Sequence, residues 1–310
     1  MVDGGWDDTA KIIAIDIGGG STKLALISVK GAVERWRSFP TIASSGAVFL
    51  EKVIAACQGL QVESTVPVVG VSIAVAGFVR SDGTLAYNPN LPWLEDAPIG
   101  ARLAAELGLR VHVDADSNAA ALAEYTFGEG SGAYRFLCLT GGTGLGVGMV
   151  IDGKLLRIAH GCMGDAGHVI ISPEGPVCTC GGRGCAEALL STASLAKRYA
   201  EAVAVEDMDF RSLVEDAAAA NSSARALLEE AGYWLGIAAA SLANIFLPDR
   251  IAIAGGLSQA GDLFFQAAQA SFRGHGGKLP LSLASFVRAS TGEHATLLGA
   301  AAGFFNPELL

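Results

Sequence analysis

Short apolar runs alternate along the chain with glycine-rich turns and helical patterns, which predicts an α/β fold. The β-branched run from Lys11 to residue 17 is typical of a buried strand. Glycines occupy positions 18–20, and a second apolar run at 24–29 follows almost at once. This order of strand, glycine turn and strand differs from the strand-to-helix turn of a Rossmann or Walker loop. By itself, the first glycine turn is best interpreted as an ordinary hairpin.

The same pattern recurs in the second half of the chain. From Phe136 an apolar run enters a Gly/Thr turn at 140–144, continues as a second apolar run and reaches the hairpin pair Asp152-Gly153. Gly142 repeats Gly18 after an interval of 142 − 18 = 124 positions. Two such units predict a duplicated domain that holds a nucleotide between its halves. Glycines suit this role because backbone amides without a Cβ can approach a phosphate closely.

Asp116 stands between the two turns, at the junction of a predicted strand and a predicted helix. The strand begins at Val111, and an alanine-rich helix follows from residue 119. Asp is a favoured helix N-cap. It is also a carboxylate at the carboxyl end of a strand, where open α/β sheets bind ligands, and both interpretations can hold together. The Gly77 loop and the irregular segment 88–93 are typical of binding loops.

Other stretches complete the predicted α/β pattern. Helices are expected at 99–107, 195–203, 210–220 and 224–246. A strand at 250–254 stops at Gly255-Gly256, which alone is a routine turn into a helix. A last apolar helix at 295–305 is expected to pack back on the first lobe.

Length, charge and hydropathy narrow the class of protein. At 310 residues the chain exceeds one compact core. We expect a small N-terminal lobe of 1–118 with a helix at about 295–310, and a larger C-terminal lobe of 119–294. A net charge of −10 without a basic stripe disfavours a nucleic-acid partner. No signal-peptide pattern opens the chain and no apolar run can span a bilayer, so we expect a cytoplasmic protein without a membrane partner.

Three thiols and one imidazole fall within eighteen residues, at Cys178, Cys180, Cys185 and His168. Nitrogen and sulfur donors in that number suit a closed, tetrahedral structural zinc site. The three glycines between Cys180 and Cys185 allow the tight backbone that such a site needs. A disulfide is the alternative, but a Cys-Thr-Cys bridge is strained and nothing else indicates an oxidising compartment.

Six motifs together point to a known family. They are Asp16-Ile-Gly-Gly-Gly-Ser-Thr-Lys, Asp116-Ser-Asn-Ala-Ala-Ala-Leu-Ala-Glu, Thr140-Gly-Gly-Thr-Gly-Leu-Gly, Gly167-His168, Cys178-Thr-Cys-Gly-Gly-Arg-Gly-Cys-Ala-Glu and Ala254-Gly-Gly. This set resembles the ROK family (repressors, open reading frames and sugar kinases) over nearly the whole chain, and the cysteine motif is the most specific part. The resemblance implies the duplicated ribonuclease-H-like fold of actin and hexokinase, and ATP-dependent phosphorylation of a hexose 6-hydroxyl. Repressor members carry an N-terminal helix-turn-helix, whereas the first strand is expected near Lys11, which favours the kinase branch.

The resemblance also implies roles for individual residues. Asp116 matches the family's general base, and Asp16 would hold Mg²⁺ through water. The positions matched to ATP binding are Asp16, Gly18, Gly19, Gly20, Thr22, Lys23, Thr140, Gly141, Gly142, Thr143, Gly144, Gly255 and Gly256. The positions matched to the sugar are Gly77, Asn90, Ala115, Asp116, Asp165, His168 and Glu187. Zinc would fix the loop that carries Glu187, His168 can serve both zinc and sugar, and a homodimer through the second lobe is expected.

Two positions depart from the family pattern. The family's Asn-Asp is Ala115-Asp116 here, and its Gly-Glu-x-Gly-His is Gly164-Asp165-Ala-Gly-His168. In the family these Asn and Glu side chains hydrogen-bond hydroxyls around the hexose ring, especially at C3. Ala115 cannot do so and Asp165 is one methylene shorter, so we hypothesise a sugar altered at C3, such as 3-amino-3-deoxyglucose (kanosamine) or allose. Glucose or N-acetylmannosamine, bound through water or a shifted loop, is the alternative.

Two further classes of function are alternatives to a kinase. A non-catalytic sugar sensor would keep the fold without turnover, but the retained Asp116 and both phosphate turns argue against it. A chaperone-like or actin-like ATPase would have no reason for the sugar-side motif that ends in Glu187. The choice between ATP and polyphosphate as the phosphate donor is open.

Overall fold

The computed structural model describes residues 6–88, 90–158 and 161–310, and these form two compact units. The first unit consists of the residues up to Ser131, Gly148–Gly164 and Thr291–Leu310. The second consists of Gly132–Val147 and Asp165–Ser290. The lobe boundaries expected from the sequence stay a prediction, and the first five residues of the small lobe lie outside the described part of the chain.

The elements alternate between strands and helices, as the apolar pattern predicts. The strands are β1 Lys11–Ile17, β2 Ser21–Ser28, β3 Val33–Pro40, β4 Val68–Val75, β5 Phe78–Val79, β6 Leu85–Tyr87, β7 Val111–Ala115, β8 Arg135–Gly141, β9 Leu145–Ile151, β10 Lys154–Leu155, β11 Arg250–Gly255 and β12 Ser285–Arg288. The helices are α1 Gly46–Glu63, α2 Ile99–Leu107, α3 Asp116–Phe127, α4 Ala186–Leu190, α5 Thr192–Val203, α6 Phe210–Ala218, α7 Ser222–Phe246, α8 Gly261–His275, α9 Lys278–Leu283 and α10 Ala295–Phe305.

The first sheet has the strand order β3-β2-β1-β4-β7. Strand β1 is antiparallel to β2 and parallel to β4, which in turn is parallel to β7. Because β1 is central, apolar side chains on both of its faces are buried. Edge strand β3 was not predicted, since half of its residues are polar and five of its eight residues are exposed.

Helices cover both faces of the first sheet. Residues Ile13 and Ile15 of β1 pack with α1 and α2, whereas Ile12 packs on the other face with Leu297 and Phe304 of α10. This alternation follows from the period of two along a strand. The predicted last helix is confirmed at the expected bounds, 295–305, and packs against α3 and β1, both in the first unit.

The second sheet repeats the order of the first, as β10-β9-β8-β11-β12. Strand β11 lies parallel to both β8 and β12, and β10 is antiparallel to β9. The hairpin predicted at Asp152-Gly153 is confirmed, with φ values of 52° and 76° at the two turn residues. The echo found in the sequence therefore corresponds to a repeated strand order.

The second unit adds a set of helices to this sheet. The helices predicted at 195–203, 210–220 and 224–246 are confirmed as α5, α6 and α7, with ends that differ by up to three residues. Helix α7 packs closely on α8 because Gly232 and Gly236 place no side chain against the α8 backbone. No helix in the described ranges is long and apolar enough to cross a membrane.

Candidate active site

Asp116 is the first residue of α3 and directly follows β7. Its side chain is half-buried, and Oδ1 accepts a 2.7 Å hydrogen bond from the N–H of Ser117. The helix N-cap is Ala115, whose methyl group cannot cap, so the interpretation of Asp116 as the N-cap is wrong. The carboxylate thus lies one residue inside the helix, at the carboxyl end of a parallel strand.

A second carboxylate, Asp16, acts on Asp116 through its charge. Burial and then the negative charge of Asp16 raise the pKa of Asp116 to about 7. Burial also raises the pKa of Asp16, against a 2.7 Å hydrogen bond from the Thr296 hydroxyl to Oδ2 and the positive charge of Lys23. Two unfavourably buried carboxylates of this kind form a hard-oxygen donor set that suits Mg²⁺.

Asp114 lies two residues before Asp116 and has a very different environment. Burial opposes its ionisation, but the His112 imidazole 3.7 Å away, together with the hydrogen bonds and charge of Arg157, lowers its pKa to about 2. Oδ1 also accepts hydrogen bonds from the Ala115 N–H at 2.8 Å and the Asn118 amide at 2.7 Å. This network was not predicted, although a polar side chain at a buried strand end is a signal for it.

The first glycine turn is closed by the backbone. The N–H of Gly18 donates to the Ser21 carbonyl at 3.1 Å, and a Cβ on Gly19 would lie 3.2 Å from Cβ of Asn90. Thr22, expected to contact phosphate, is instead fully buried, with its hydroxyl 2.7 Å from that of Thr41. Its side chain therefore supports the turn from within the core.

Two of the predicted sugar residues of the first unit lie on either side of the β5–β6 hairpin, Gly77 before β5 and Asn90 after β6. Gly77 has a φ of +107°, and a Cβ there would lie 2.5 Å from the Tyr87 carbonyl oxygen. Asn88, a buried residue that the sequence did not single out, donates to the Ala76 carbonyl at 2.6 Å. Oδ1 of Asn88 accepts a 2.7 Å hydrogen bond from the N–H of Asn90. Asn90 is exposed, and this bond fixes the position of its backbone.

The second glycine turn joins β8 to β9, and its tip at Gly142 and Thr143 is exposed, whereas Thr140 at its start is half-buried. The Gly142 carbonyl accepts hydrogen bonds from both the N–H and the hydroxyl of Thr192, at 2.9 and 2.7 Å. At two other predicted nucleotide residues, Gly141 and Gly255, the surrounding atoms leave no space for a side chain. A Cβ on Gly141 would lie 2.3 Å from Leu257, and one on Gly255, whose φ is +67°, would lie 2.5 Å from the Gly141 carbonyl.

Gly256, the last predicted nucleotide residue, begins the short 3₁₀ turn after β11. A Cβ there would lie 2.8 Å from Cγ2 of Thr192. The backbone of this turn and the side chain of Thr192 are therefore packed together, which only a residue without a side chain allows.

The predicted zinc ligands are brought together in the second unit. One ligand atom each from His168, Cys178, Cys180 and Cys185 lies within 4.8 Å of all the others, and all three cysteines are free thiols. Nδ1 of His168 is 3.5 Å from Sγ of Cys178, and the Sγ atoms of Cys180 and Cys185 are 3.7 Å apart. Four soft donors with this spacing fit a tetrahedral structural zinc ion. Gly184 makes the loop possible, since a Cβ there would lie 1.6 Å from the Ser172 carbonyl.

The two nitrogens of His168 face different groups. Whereas Nδ1 points to the cysteines, Nε2 is 3.7 Å from Oδ1 of Asp165 and 3.9 Å from Oε1 of Glu187. Glu187 in turn accepts a 3.0 Å hydrogen bond at Oε2 from the N–H of Leu145, a contact that the sequence did not predict. His168 can thus bind a metal ion through Nδ1 while its Nε2 faces the carboxylates of Asp165 and Glu187.

The predicted site residues fall into two groups, one in each unit. Asp16, Asp116, Asn90 and the first glycine turn belong to the first unit. The second glycine turn, the Cys/His cluster and Glu187 belong to the second unit. Each group contains one glycine turn together with polar side chains suited to a sugar or a cation.

Comparisons with known proteins identify a matching family model, similar sequences and similar structures. A sequence model of the ROK family matches residues 12–305. The glucokinase of Halalkalibacterium halodurans is 31% identical over 93% of this chain and 92% of its own length. An N-acetylmannosamine kinase of Escherichia coli is 38% identical over 59% of this chain and 62% of its own. The crystal structure of a ROK family glucokinase from Streptomyces griseus, in complex with glucose and AMPPNP, matches with a TM-score of 0.83 and 30% identity, over 94% of this chain and 98% of its own.

Proposed function

This chain belongs to the ROK family and is a sugar kinase, and from that premise we propose that it transfers the γ-phosphoryl group of ATP to the 6-hydroxyl of a hexose. The observation that carries the proposal is the carboxylate of Asp116. It stands at the carboxyl end of β7 with a pKa raised to about 7. A base whose pKa lies near the working pH removes a hydroxyl proton efficiently.

In the proposed reaction, Asp116 accepts the proton of the 6-hydroxyl while that oxygen attacks the γ-phosphorus and the bond to the leaving ADP oxygen breaks. Asp114, with a pKa of about 2 and a bidentate partner in Arg157, does not compete for the proton. The remaining catalysis is positioning and stabilisation of charge, as in phosphoryl transfer generally.

Asp16 is proposed to hold Mg²⁺. The fit rests on its carboxylate oxygens, its anchoring by Thr296 and the repulsion between its charge and that of Asp116, which a cation relieves. Bound with ATP, Mg²⁺ neutralises negative charge on the phosphates.

Phosphate binding is assigned to backbone amides of the two glycine turns, at 18–20 and 141–143, with Lys23, Thr140 and Thr143 beside them. The adenosine is assigned to the turn at Gly255 and Gly256. Thr22 is left out of this set because its buried hydroxyl is bonded to Thr41.

For the sugar, we assign Gly77, Asn90, Asp165, Glu187 and Nε2 of His168. Zinc bound by Nδ1 of the same histidine and by the three cysteines would fix the ring, so that Nε2 keeps its orientation. This division lets one histidine serve both the metal and the substrate. The two halves are proposed to be ribonuclease-H-like, as the repeated strand order supports.

We further propose that the hexose is altered at C3. Ala115 is buried and offers only a methyl group, and the carboxylate of Asp165 is about half exposed. An ammonium at C3, as in kanosamine, would pair with Asp165 and would need no partner at position 115. Allose, glucose and N-acetylmannosamine are the competing substrates.

The test is ADP release with ATP and Mg²⁺ against a panel of glucose, mannose, allose, glucosamine, N-acetylmannosamine and kanosamine. The highest kcat/KM for a C3 variant supports the substrate proposal, whereas a preference for glucose removes it and keeps the kinase. Asp116→Asn is the control, because its full activity would contradict the assigned base. Sugar binding without turnover of any hexose would indicate a sensor, and light scattering tests the expected homodimer.

A further inference from the structure

Both carboxylate oxygens of Glu187 are engaged by neighbouring groups of the second unit. Oε2 accepts the 3.0 Å hydrogen bond from the N–H of Leu145, at the end of the β8–β9 turn. Oε1 lies 3.3 Å from the Thr179 hydroxyl, which donates to it, and 3.9 Å from Nε2 of His168. The side chain is only 18% exposed, so its direction is set by these contacts.

The absence of a side chain at Gly144 leaves the space that the carboxylate of Glu187 occupies. A Cβ on Gly144 would lie 2.5 Å from Oε2 and 3.4 Å from Cδ of Glu187, and these are the atoms that crowd it. The Gly144 backbone does not have a positive φ, so an alanine meets no conformational strain there. The obstacle is therefore the end of one flexible side chain, which can move without unfolding the protein.

The β8–β9 turn also holds the C-terminal end of the segment 187–192, through its residue Gly142. Glu187 lies in α4, and Thr192 opens α5 immediately after it. Through its N–H and hydroxyl, Thr192 donates two hydrogen bonds to the Gly142 carbonyl. Residues 187–192 are thus fastened to the β8–β9 turn at both ends.

We propose that Gly144 and the N–H of Leu145 act as positioning groups for Glu187, so that this arm of the turn serves the sugar rather than the phosphates. The inference rests on the proposed function, in which Glu187 contacts a sugar hydroxyl. It reassigns Gly144, which the glycine motif alone places with the nucleotide. A backbone N–H bonded to a carboxylate is a strong, directional contact, and its loss frees Glu187 to turn away.

The experiment compares Gly144→Ala with Gly142→Ala, a matched change in the same turn where the new methyl group meets nothing within 4 Å. Sugar affinity is measured by calorimetry without nucleotide, and the KM for ATP by ADP release. We expect Gly144→Ala to weaken sugar binding about 10- to 100-fold, the effect of losing one hydrogen bond between a sugar hydroxyl and a carboxylate. Its KM for ATP and its melting temperature should stay near the wild-type values.

Gly142→Ala should show the reverse pattern, with sugar affinity retained and any change confined to the KM for ATP. A double-mutant cycle adds a second readout, because in a Glu187→Ala background no carboxylate remains to be displaced. There, Gly144→Ala should cause no further loss of sugar affinity.

Three outcomes would overturn the inference: a Gly144→Ala protein that raises the KM for ATP instead, one that does not fold, or additive losses in the cycle. Failure of the proposed function looks different. The wild-type protein would then bind or phosphorylate no hexose, whatever stands at position 144.

Discussion

Arg157 and Asp114 form a bidentate ion pair, and Asp114 lies two residues before the proposed base, Asp116. Nη1 donates to Oδ1 at 3.0 Å and Nη2 to Oδ2 at 2.5 Å. Nη1 also donates to the Gly161 carbonyl at 2.7 Å, and Nε to the Leu310 carbonyl at 3.3 Å. The pair therefore ties the end of β7 to the loop after β10 and to the last residue of the chain.

Arg157→Met should destabilise the protein by roughly 3–5 kcal/mol, the usual cost of removing one partner from a buried ion pair. Asp114 is only 5% exposed and would be left without its main counter-charge. The free energy of unfolding in urea measures this. Arg102→Met, which breaks an exposed pair with Glu106 within α2, should cost at most about 0.5 kcal/mol.

The double variant Asp114→Asn/Arg157→Met should recover part of the lost stability, because it removes the unpaired charge. Equal losses for Arg157→Met and Arg102→Met would show that the buried pair contributes nothing special.

The rate should depend on pH through Asp116. Since a base must be deprotonated, kcat/KM should rise as the pH increases, with a midpoint at about 7 or lower, because bound Mg²⁺ can only lower the pKa of about 7 found without it. Asp116→Asn should lose about 10²- to 10⁴-fold in kcat and with it this acid limb. A rate that falls between pH 5 and 7 would contradict the role of Asp116 as base.

The same pKa predicts a stability effect with a definite sign. The folded pKa of about 7 lies above the ordinary aspartate value of 3.8, so the folded state binds the proton more tightly. Its contribution to stability is complete below pH 3.8 and is lost as the pH rises through 7. Without Mg²⁺, Asp116→Asn should therefore raise the melting temperature at pH 8 more than at pH 5.

Asp82→Asn provides the contrast for this measurement. Asp82 is exposed, and hydrogen bonds from Thr84 lower its pKa. Its replacement should not stabilise the protein at pH 8. A melting-temperature difference for Asp116→Asn that does not change with pH would contradict the raised pKa.

The sequence predicted those elements whose signal lies within a few neighbouring residues. The run at Lys11–Ile17, the end of α2 at Gly108 and the bounds of α10 follow from β-branched content, a left-handed glycine and apolar periodicity. The repeated strand order followed from the echo between two segments. The cysteine cluster was predictable because its ligands are close in sequence and few chemical groups share that donor set.

Contacts between distant residues left no such signal. Asp16 and Thr296 are 280 positions apart, and Asp114 and Arg157 are 43 apart. The burial of Thr22, by contrast, could have been predicted, since it lies two residues before Leu24 and therefore on the same, buried face of β2. For Thr22, the period of two along the strand is a better guide to its position than the motif resemblance.

Purified protein should contain one zinc ion per chain. Removal by a strong chelator should lower the melting temperature, because four ligands at 168, 178, 180 and 185 would lose the ion that holds their loop. Cys178→Ser should reduce both zinc content and sugar affinity, measured by metal analysis and calorimetry. Cys138→Ala, in the buried strand β8, should keep its zinc, and a wild-type protein unaffected by the chelator would contradict the zinc site.

Thr296→Val should weaken the response to Mg²⁺. The hydroxyl of Thr296 holds Oδ2 of Asp16 at 2.7 Å, and valine keeps the shape of the side chain without this donor. A hydrogen bond to a charged group contributes about 1.5–3 kcal/mol, so the Mg²⁺ concentration for half-maximal rate should rise about tenfold or more. Thr296→Ser should restore it, because the hydroxyl returns. An unchanged Mg²⁺ response in Thr296→Val, or a serine variant that behaves like valine, would show that Asp16 does not depend on Thr296 for its role.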